Sequence, residues 1–521
     1  MFARVRQFFS RHPLLRDAVL WALPAIIFGA ALRLLLLWYV PYAYWGSDSR
    51  SYYSFAHLLL SHGDISLDEK RRYLYPLLML PVSLLPGETL RWLAWLQHGL
   101  GLVTLLPLAY IVRKTLVHWR LWIAPVTMIY AGLPLMIWYE HELLGDTVFF
   151  AALLWAFAGW VAWVREARLG RLRQLFWWFF VPFALFLLTK PAGRFAWPGI
   201  CLGLVIVLAW RTLDRRHWVA LGMLALVSLT VGSKKQSAWL LYVAAFPLTQ
   251  VESPRHATYK AEIRDKVEEL RRHIDVYYLQ DEWPFTFLEN PGRGDGRPLW
   301  KELAKDEKRK TKVYLDLALE GIKARPDLFA YLGLQRLIGS ANSSEFKESR
   351  FGGDRYAQRF EHHYAEAQNN ENNPVRMLFA LPPRGPLPPY AEFQKRLSPA
   401  PDSWMARALQ SYVRGFESVS DLFHLPDGGE VTDRQISKAR PTPLGWWLAA
   451  AMLLSLLPRY RRTFGVWTIV AGGYLCGVFL VSQINPRYFA PAWTVLVPLL
   501  AVPADALGAL LAHWLRARPP S

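Results

Sequence analysis

Cysteine is nearly missing from this sequence: Cys201 and Cys476 are the only two among 521 residues. Two thiols build neither a disulfide framework nor a cysteine zinc cluster. Both fall inside apolar stretches and read as packing residues. The signatures of nucleotide handling are missing too. No glycine-rich phosphate loop ends in Lys and Ser or Thr. Gly99-Leu100-Gly101 has neither the third glycine nor a preceding strand, which makes it helix packing rather than a dinucleotide loop. His141-Glu142 is not followed by the second histidine that a zinc-peptidase helix needs. Acids are scarce beside bases, 41 against 60, for a net charge of +19. Such a surplus suits nucleic acid when it gathers on one face. Here it is scattered through short loops between apolar blocks, which excludes nucleic acid as a partner and points to a bilayer.

Apolar surface is what abounds. Hydrophobic residues make up 53% of the chain and aromatics 15%, and their long runs exclude both an ordinary soluble enzyme and a disordered chain. A helix crossing the ~30 Å hydrocarbon core needs about 20 mostly apolar residues. By that ruler about ten stretches qualify, near 19–40, 91–112, 121–139, 147–164, 175–189, 195–210, 217–232, 444–458, 464–483 and 488–514. The chain is therefore predicted to be an all-α polytopic membrane protein. Basic residues in short loops set its orientation. Arg4/Arg6/Arg11/Arg16, Arg113/Lys114/Arg120, Arg165/Arg168/Arg171/Arg173, Arg211/Arg215/Arg216, Arg459/Arg461/Arg462 and Arg516/Arg518 fall in every second connection, so both termini are expected inside. No signal-peptide cleavage pattern precedes the first span.

The opposite connections are short or moderate except one. The segment 233–443 is long enough for a domain of its own and divides the chain into an N-terminal membrane region 1–232, an external insert, and a C-terminal membrane region 444–521. Within the insert, Glu262–Leu279 and Leu299–Ala324 carry apolar residues at helical spacing. Phe329–Ile338 reads as a helix lying on the bilayer, and Trp404–Phe423 as another amphipathic helix. The Asn- and Pro-rich stretch 369–402 reads as a lid without regular structure. His362-His363 with Glu361 and Glu366 fits a solvated helix face, and Asn342-Ser343-Ser344 is a chance match to a glycosylation acceptor.

Charges at membrane-embedded ends are costly and mark function by default. Four groups fall on the external side: Asp48 after the first span; Glu140-His141-Glu142 with Asp146 between the third and fourth; Lys190-Pro191-Ala192-Gly193-Arg194 after the fifth; and Asn485-Pro486-Arg487-Tyr488 in the last turn. Arg71-Arg72-Tyr73-Leu74-Tyr75-Pro76 adds cations beside aromatics. Singly, Asp48 fits a helix cap, and Lys190 and Arg487 fit snorkelling side chains. Together, acids with compensating cations at one face suit an anionic, lipid-borne substrate and a carboxylate acting as base.

This pattern resembles the GT-C superfamily of membrane glycosyltransferases, in particular bacterial relatives of protein O-mannosyltransferases and of the lipid A aminoarabinose transferase. The resemblance covers roughly the first 210 residues and the last 80. It is carried by Asp48 with Tyr52-Tyr53, Arg71–Pro76, Leu96-Gln97-His98-Gly99-Leu100-Gly101-Leu102-Val103-Thr104, the acidic loop before the fourth span, Lys190-Pro191, and Arg487-Tyr488 with Pro491. The long insert departs from relatives whose large soluble domain is C-terminal.

The resemblance implies an inverting transferase that takes a sugar from a polyprenyl-phosphate donor, outside the cytoplasm, to a lipid, glycan or protein hydroxyl. It implies a multi-pass location in a bacterial cytoplasmic membrane. Asp48 matches the catalytic carboxylate, and Glu142 or Asp146 the second acidic position. Arg71, Arg72, Tyr75, Lys190, Arg194, Arg487 and Tyr488 match groups that hold the donor phosphate. No catalytic metal is expected; the alternative is a divalent cation on Asp48, Glu140 and Glu142. Two rivals stand beside this reading: an en bloc oligosaccharide transferase or ligase, and a lipid or glycan transporter, although no internal repeat of the transporter kind is visible.

Overall fold

The computed structural model describes residues 13–45, 48–65, 74–116, 122–166, 176–190, 236–273, 302–303, 305–341, 361, 364–370, 373–381, 385–397, 403–424, 438–481 and 486–517. Lipid offers no hydrogen bonds, so an apolar segment must satisfy its backbone internally, and helix is the local answer. Four helical stretches are long and apolar enough to cross a membrane: Leu20–Tyr39, Thr89–Thr115, Thr463–Leu480 and Phe489–Trp514. Shorter apolar helices cover Leu74–Ser83, Ile123–Gly132, Asp146–Ala162, Trp177–Thr189 and Pro443–Ser455. The protein is a multi-pass membrane protein. The expected spans 195–210 and 217–232 lie outside the described residues.

The first span is helix α1, Pro13–Tyr39. The connection after it is itself helical, with α2 at Ser49–His62 and α3 at Leu74–Ser83. The second span is built from α4, Thr89–Val103, and α5, Leu105–Thr115, which meet at Thr104. Pro107, in the first turn of α5, has no N–H to give the preceding turn. The stretch expected as the third span is split more sharply, into α6 at Ile123–Gly132 and α7 at Pro134–His141.

Pro134 causes that split, and the carbonyls it frees find partners far away in sequence. Arg33 Nη1 donates to the carbonyl of Ala131 at 3.0 Å, and Tyr412 Oη donates to that of Gly132 at 2.5 Å. Gly132 is also a place where a side chain would not fit. A Cβ there would lie 2.5 Å from Phe416 Cζ and 2.8 Å from Phe28 Cε1. Helix α8, Asp146–Glu166, follows, and a π-turn at Phe176–Phe180 runs into α9, Val181–Thr189.

The insert feeds two apolar cores. Helices α10 (Gln236–Thr249), α11 (Ala257–His273) and α12 (Glu307–Ala324) enclose a small one around Leu241, Ala244, Tyr314 and Leu317. Asp306 caps α12 by accepting from the amides of Lys308 and Arg309. Helix α13, Pro326–Ala341, covers the segment expected on the bilayer. One of its faces packs on the C-terminal membrane helices, where Arg336 donates to the Phe479 carbonyl at 3.1 Å.

The expected lid is not free of regular structure: it contains α14, Pro374–Leu378, and α15, Tyr390–Leu397. Asn373 and Pro374, in the stretch that suggested a loop, here start a helix. Asn373 Oδ1 accepts from the amide of Val375 at 3.0 Å just ahead of Pro374. Helix α16, Trp404–Ser420, lies along α1, with Phe416 stacked on Phe28. Residues from Tyr364 to Leu422 join the main core.

A two-stranded antiparallel ribbon, β1 at Phe423–His424 and β2 at Arg440–Pro441, leads into α17, Pro443–Ser455. The chain closes with α18 (Val466–Val481), α19 (Pro486–Leu499) and α20 (Ala501–Ala517). Deep in α20, Asp505 is bound by Arg459 and by the Tyr460 hydroxyl, both at 2.8 Å. Cys476, read as a packing residue, is instead exposed on α18. Cys201 lies outside the described residues.

Candidate active site

Helix α7 ends without a following turn of helix, leaving its last four carbonyls without intrahelical partners. Each finds another. Trp138 accepts from the Glu142 amide at 3.0 Å, Tyr139 from Thr147 Oγ1 at 3.2 Å, Glu140 from Gln97 Nε2 at 2.8 Å, and His141 from the Tyr44 amide at 2.6 Å. Leu143 in turn donates its amide to Tyr44 at 2.8 Å, making a parallel bridge between Tyr44 and Glu142, and Ser49 Oγ donates to the Leu143 carbonyl at 3.0 Å. The Tyr44 ring stacks on Trp138 with centroids 4.4 Å apart. These bonds sew the segment after α1 to the turn before α8, so that Asp48 and Asp146, each at the start of a helix, become neighbours.

Arg487 joins them from the far end of the chain. Its Nη1 donates to Asp48 Oδ2 and its Nε to Asp146 Oδ2, both at 3.0 Å. Lys190, just beyond α9, donates to Asp146 Oδ1. Both oxygens of Asp146 are thus engaged by cations, and its side chain is 1% exposed. Asp48 is the most open of the four, with 35% of its side chain exposed. It makes no side-chain cap bond to its helix. Burial and the adjacent Arg487 guanidinium hold the Lys190 ammonium down at about 8, against the opposing pull of Asp146 and Asp48. Glu142 is half-buried, and its carboxylate acts on Arg487 and Tyr75 through space.

Several expected site residues stand elsewhere. Tyr75 directs its hydroxyl to Gln97 Oε1, with its ring edge-on to Tyr52 at 5.3 Å. Glu140 belongs to a second, fully enclosed cluster. Arg33 grips its carboxylate with two bonds of 2.6 Å, from Nε and Nη2. His98 Nδ1 lies 3.0 Å from Glu140 Oε2, and His98 Nε2 lies 2.9 Å from His141 Nδ1. A carboxylate only accepts, so the donor order runs from His141 to His98 to Glu140. Gly101 makes the room: a Cβ there would lie 2.1 Å from Glu140 Oε1.

Glu140 is therefore unavailable as the third ligand of a cation with Asp48 and Glu142. Among the described residues, no group of three or more His, Cys, Asp or Glu is disposed to hold a metal ion. Arg71, Arg72 and Arg194 lie outside the described residues, as does the side chain of Tyr488.

Sequence reasoning passed over Arg33 as a functional candidate, although a guanidinium inside an apolar run is itself a signal. Gln97 and His98 appeared only within the resemblance, and Tyr412 carried no local signal at all.

No family model and no curated protein matches the chain. Solved structures do. The chain is similar to the archaeal oligosaccharyltransferase AglB from Archaeoglobus fulgidus, in complex with an inhibitory peptide and a dolichol-phosphate. That likeness covers 98% of this chain and 53% of that one, at 13% identity and a TM-score of 0.43. An Archaeoglobus fulgidus oligosaccharyltransferase in complex with Zn and sulfate is similar over 86% of this chain and 57% of that one, at 15% identity and a TM-score of 0.33. ArnT from Cupriavidus metallidurans, bound to undecaprenyl phosphate, is similar over 95% and 81%, at 13% identity and a TM-score of 0.31. This chain spans a little over half the length of the two oligosaccharyltransferase chains.

Proposed function

We propose that this protein is an inverting GT-C-type glycosyltransferase. It moves a sugar from a polyprenyl-phosphate donor to an acceptor hydroxyl at the external face of a bacterial cytoplasmic membrane. One observation carries the reading. Asp48 and Arg487, 439 residues apart, form a 3.0 Å ion pair at one end of a bundle of apolar helices, with Asp146 and Lys190 completing the cluster. In this reading 1–232 and 444–521 build the membrane part and 233–443 the external insert over the site.

The chemistry follows from which groups are open and which are engaged. Asp48, partly exposed, takes the proton from the acceptor hydroxyl. The acceptor oxygen forms its bond to the anomeric carbon from the side opposite the phosphate. The bond from that carbon to the phosphate oxygen breaks, and the phosphate departs with the electron pair and a second negative charge. Arg487 and Lys190 stabilise that charge where water is scarce. Asp146, closed on both oxygens, holds the two cations in place, and Glu142 adds negative potential beside them. No step is routed through a metal ion, because the carboxylates that would share one are divided between two clusters.

The test is transfer from a defined polyprenyl-phosphate sugar to lipid, glycan and protein acceptors by the purified protein, read by the mass gained. A gain of one sugar supports the reading. A gain of a whole oligosaccharide indicates en bloc transfer, and movement of labelled lipid across vesicles without covalent transfer indicates a transporter. Either result overturns it.

A further inference from the structure

Among the bonds that hold the turn delivering Glu142 and Asp146, two come from one side chain that the chemistry above does not use. Gln97, on α4, is 1% exposed. Its amide nitrogen donates to two carbonyls, Glu140 at 2.8 Å and Glu142 at 2.7 Å, one on each side of His141. A carboxamide can be rotated to exchange its oxygen and nitrogen, and the rotated form would set an oxygen against two carbonyl oxygens. Tyr75 removes that choice by donating its hydroxyl to Oε1. The Tyr75 ring also stands beside Gly145, where a Cβ would lie 3.3 Å from Tyr75 Cβ. The same tyrosine therefore touches both ends of the acidic turn, through Gln97 at residues 140 and 142 and directly at residue 145.

We infer that Gln97 is a positioning residue, oriented by Tyr75, that sets where the carboxylates of Glu142 and Asp146 stand relative to Lys190 and Arg487. The inference deepens the transferase reading and rests on it for the meaning of that geometry. It also moves Tyr75 from the group that holds the donor to the group that holds the acidic turn. A misplacement of about 1 Å at a reacting centre costs on the order of a hundredfold in rate, which is the scale expected when both amide bonds are lost.

Three variants test it. Gln97→Leu removes both donors, Gln97→Glu replaces them with oxygen, and Tyr75→Phe leaves Gln97 in place but unoriented. With a polyprenyl-phosphate sugar as donor, Gln97→Leu and Gln97→Glu should lower kcat about 10- to 100-fold while the donor KM stays within about twofold. Tyr75→Phe should lower kcat a few-fold with the donor KM unchanged. A donor KM that rises in Tyr75→Phe with kcat retained would return Tyr75 to the phosphate and overturn the inference. So would wild-type kcat in both Gln97 variants.

A second measurement needs no substrate. An amine-reactive probe titrates Lys190 between pH 7 and pH 9, with the modified peptide read by mass spectrometry. Displacing Asp146 from the Lys190 ammonium should raise the labelling rate of Gln97→Leu several-fold at a given pH; labelling identical to wild type would overturn the inference. If the wild-type protein transfers no sugar while this labelling shift is present, the transferase reading has failed and the positioning role stands.

Discussion

Two ionic clusters lie within one acidic turn of each other, and they are built on opposite principles. In the inner one, Arg33 and Glu140 are 2% and 5% exposed and share two bonds of equal length. His98 and His141 extend the pair, Gly29 and Ala131 carbonyls take the remaining guanidinium donor at 3.1 and 3.0 Å, and nothing in the arrangement opens outward. In the outer one, Arg487 divides its bonds between two carboxylates, and Asp48 retains a third of its surface. Charges that close on each other hold a fold together; charges that are shared and partly open are disposed to meet a substrate. Only His141 separates Glu140 from Glu142, so the same short turn serves both ends.

That contrast can be broken experimentally, and the largest effect belongs to the inner pair. Arg33→Leu or Glu140→Leu alone leaves a buried charge without its partner, which costs about 3–5 kcal/mol. The two together should recover most of that stability, measured by denaturation of the purified protein in detergent. Equal damage from the double and single variants would mean that the pair is not closed. Gly101→Ala should mimic the single variants, because its methyl group meets the Glu140 carboxylate.

A smaller, kinetic effect belongs to the outer cluster. Arg487→Ala removes the guanidinium proposed to hold the donor phosphate. Charge-assisted bonds to that phosphate would be worth about 1.5–3 kcal/mol, so donor KM should rise roughly 10- to 100-fold. The melting temperature should be lowered less than in the inner-pair variants, because Lys190 still pairs with Asp146. Unchanged donor dependence would take Arg487 out of phosphate binding.

The pH response is weaker again. Lys190 loses its proton at about 8, so donor affinity should decline a few-fold as pH rises through that value, and Lys190→Arg should flatten the decline. The sign for stability is opposite. The unfolded lysine titrates near 10.4, so between the two values the unfolded chain binds more protons and the contribution of this group to stability rises with pH. Activity and stability that fall together above pH 8 would point to another group. The smallest effect is none: EDTA should leave transfer unchanged, and a loss restored by Mn²⁺ or Mg²⁺ would reintroduce the divalent cation.

Much of the fold was legible because the bilayer imposes a length on every crossing. Leu20–Tyr39 and Phe489–Trp514 follow from that ruler almost to the residue. The breaks were half legible. Pro134 announces one, but the groups that satisfy its freed carbonyls come from Arg33 and Tyr412, 98 and 280 residues from their acceptors, and no local pattern encodes such a pairing. Asp48, Asp146, Lys190 and Arg487 stood out because charge beside apolar spans is costly, and the structure brings the four together.

The separate settings of Glu140 and Glu142 were not legible in their spacing. Two residues apart on an extended chain would face the same way, but Glu140 ends a helix and Glu142 opens a bridge, so the two carboxylates diverge. The Asn- and Pro-rich lid was misread for a related reason. Asn373-Pro374 serves equally as a loop and as the first two positions of a helix, and only the amide of Val375 decides between them.

The account turns on Asp48 as the base. The most direct measurement compares wild type and Asp48→Asn in single-turnover transfer from a polyprenyl-phosphate sugar, with donor binding followed in parallel. Loss of a general base should slow transfer about 10²- to 10⁴-fold, while the variant still folds and still binds donor. Transfer at the wild-type rate in Asp48→Asn would contradict the account.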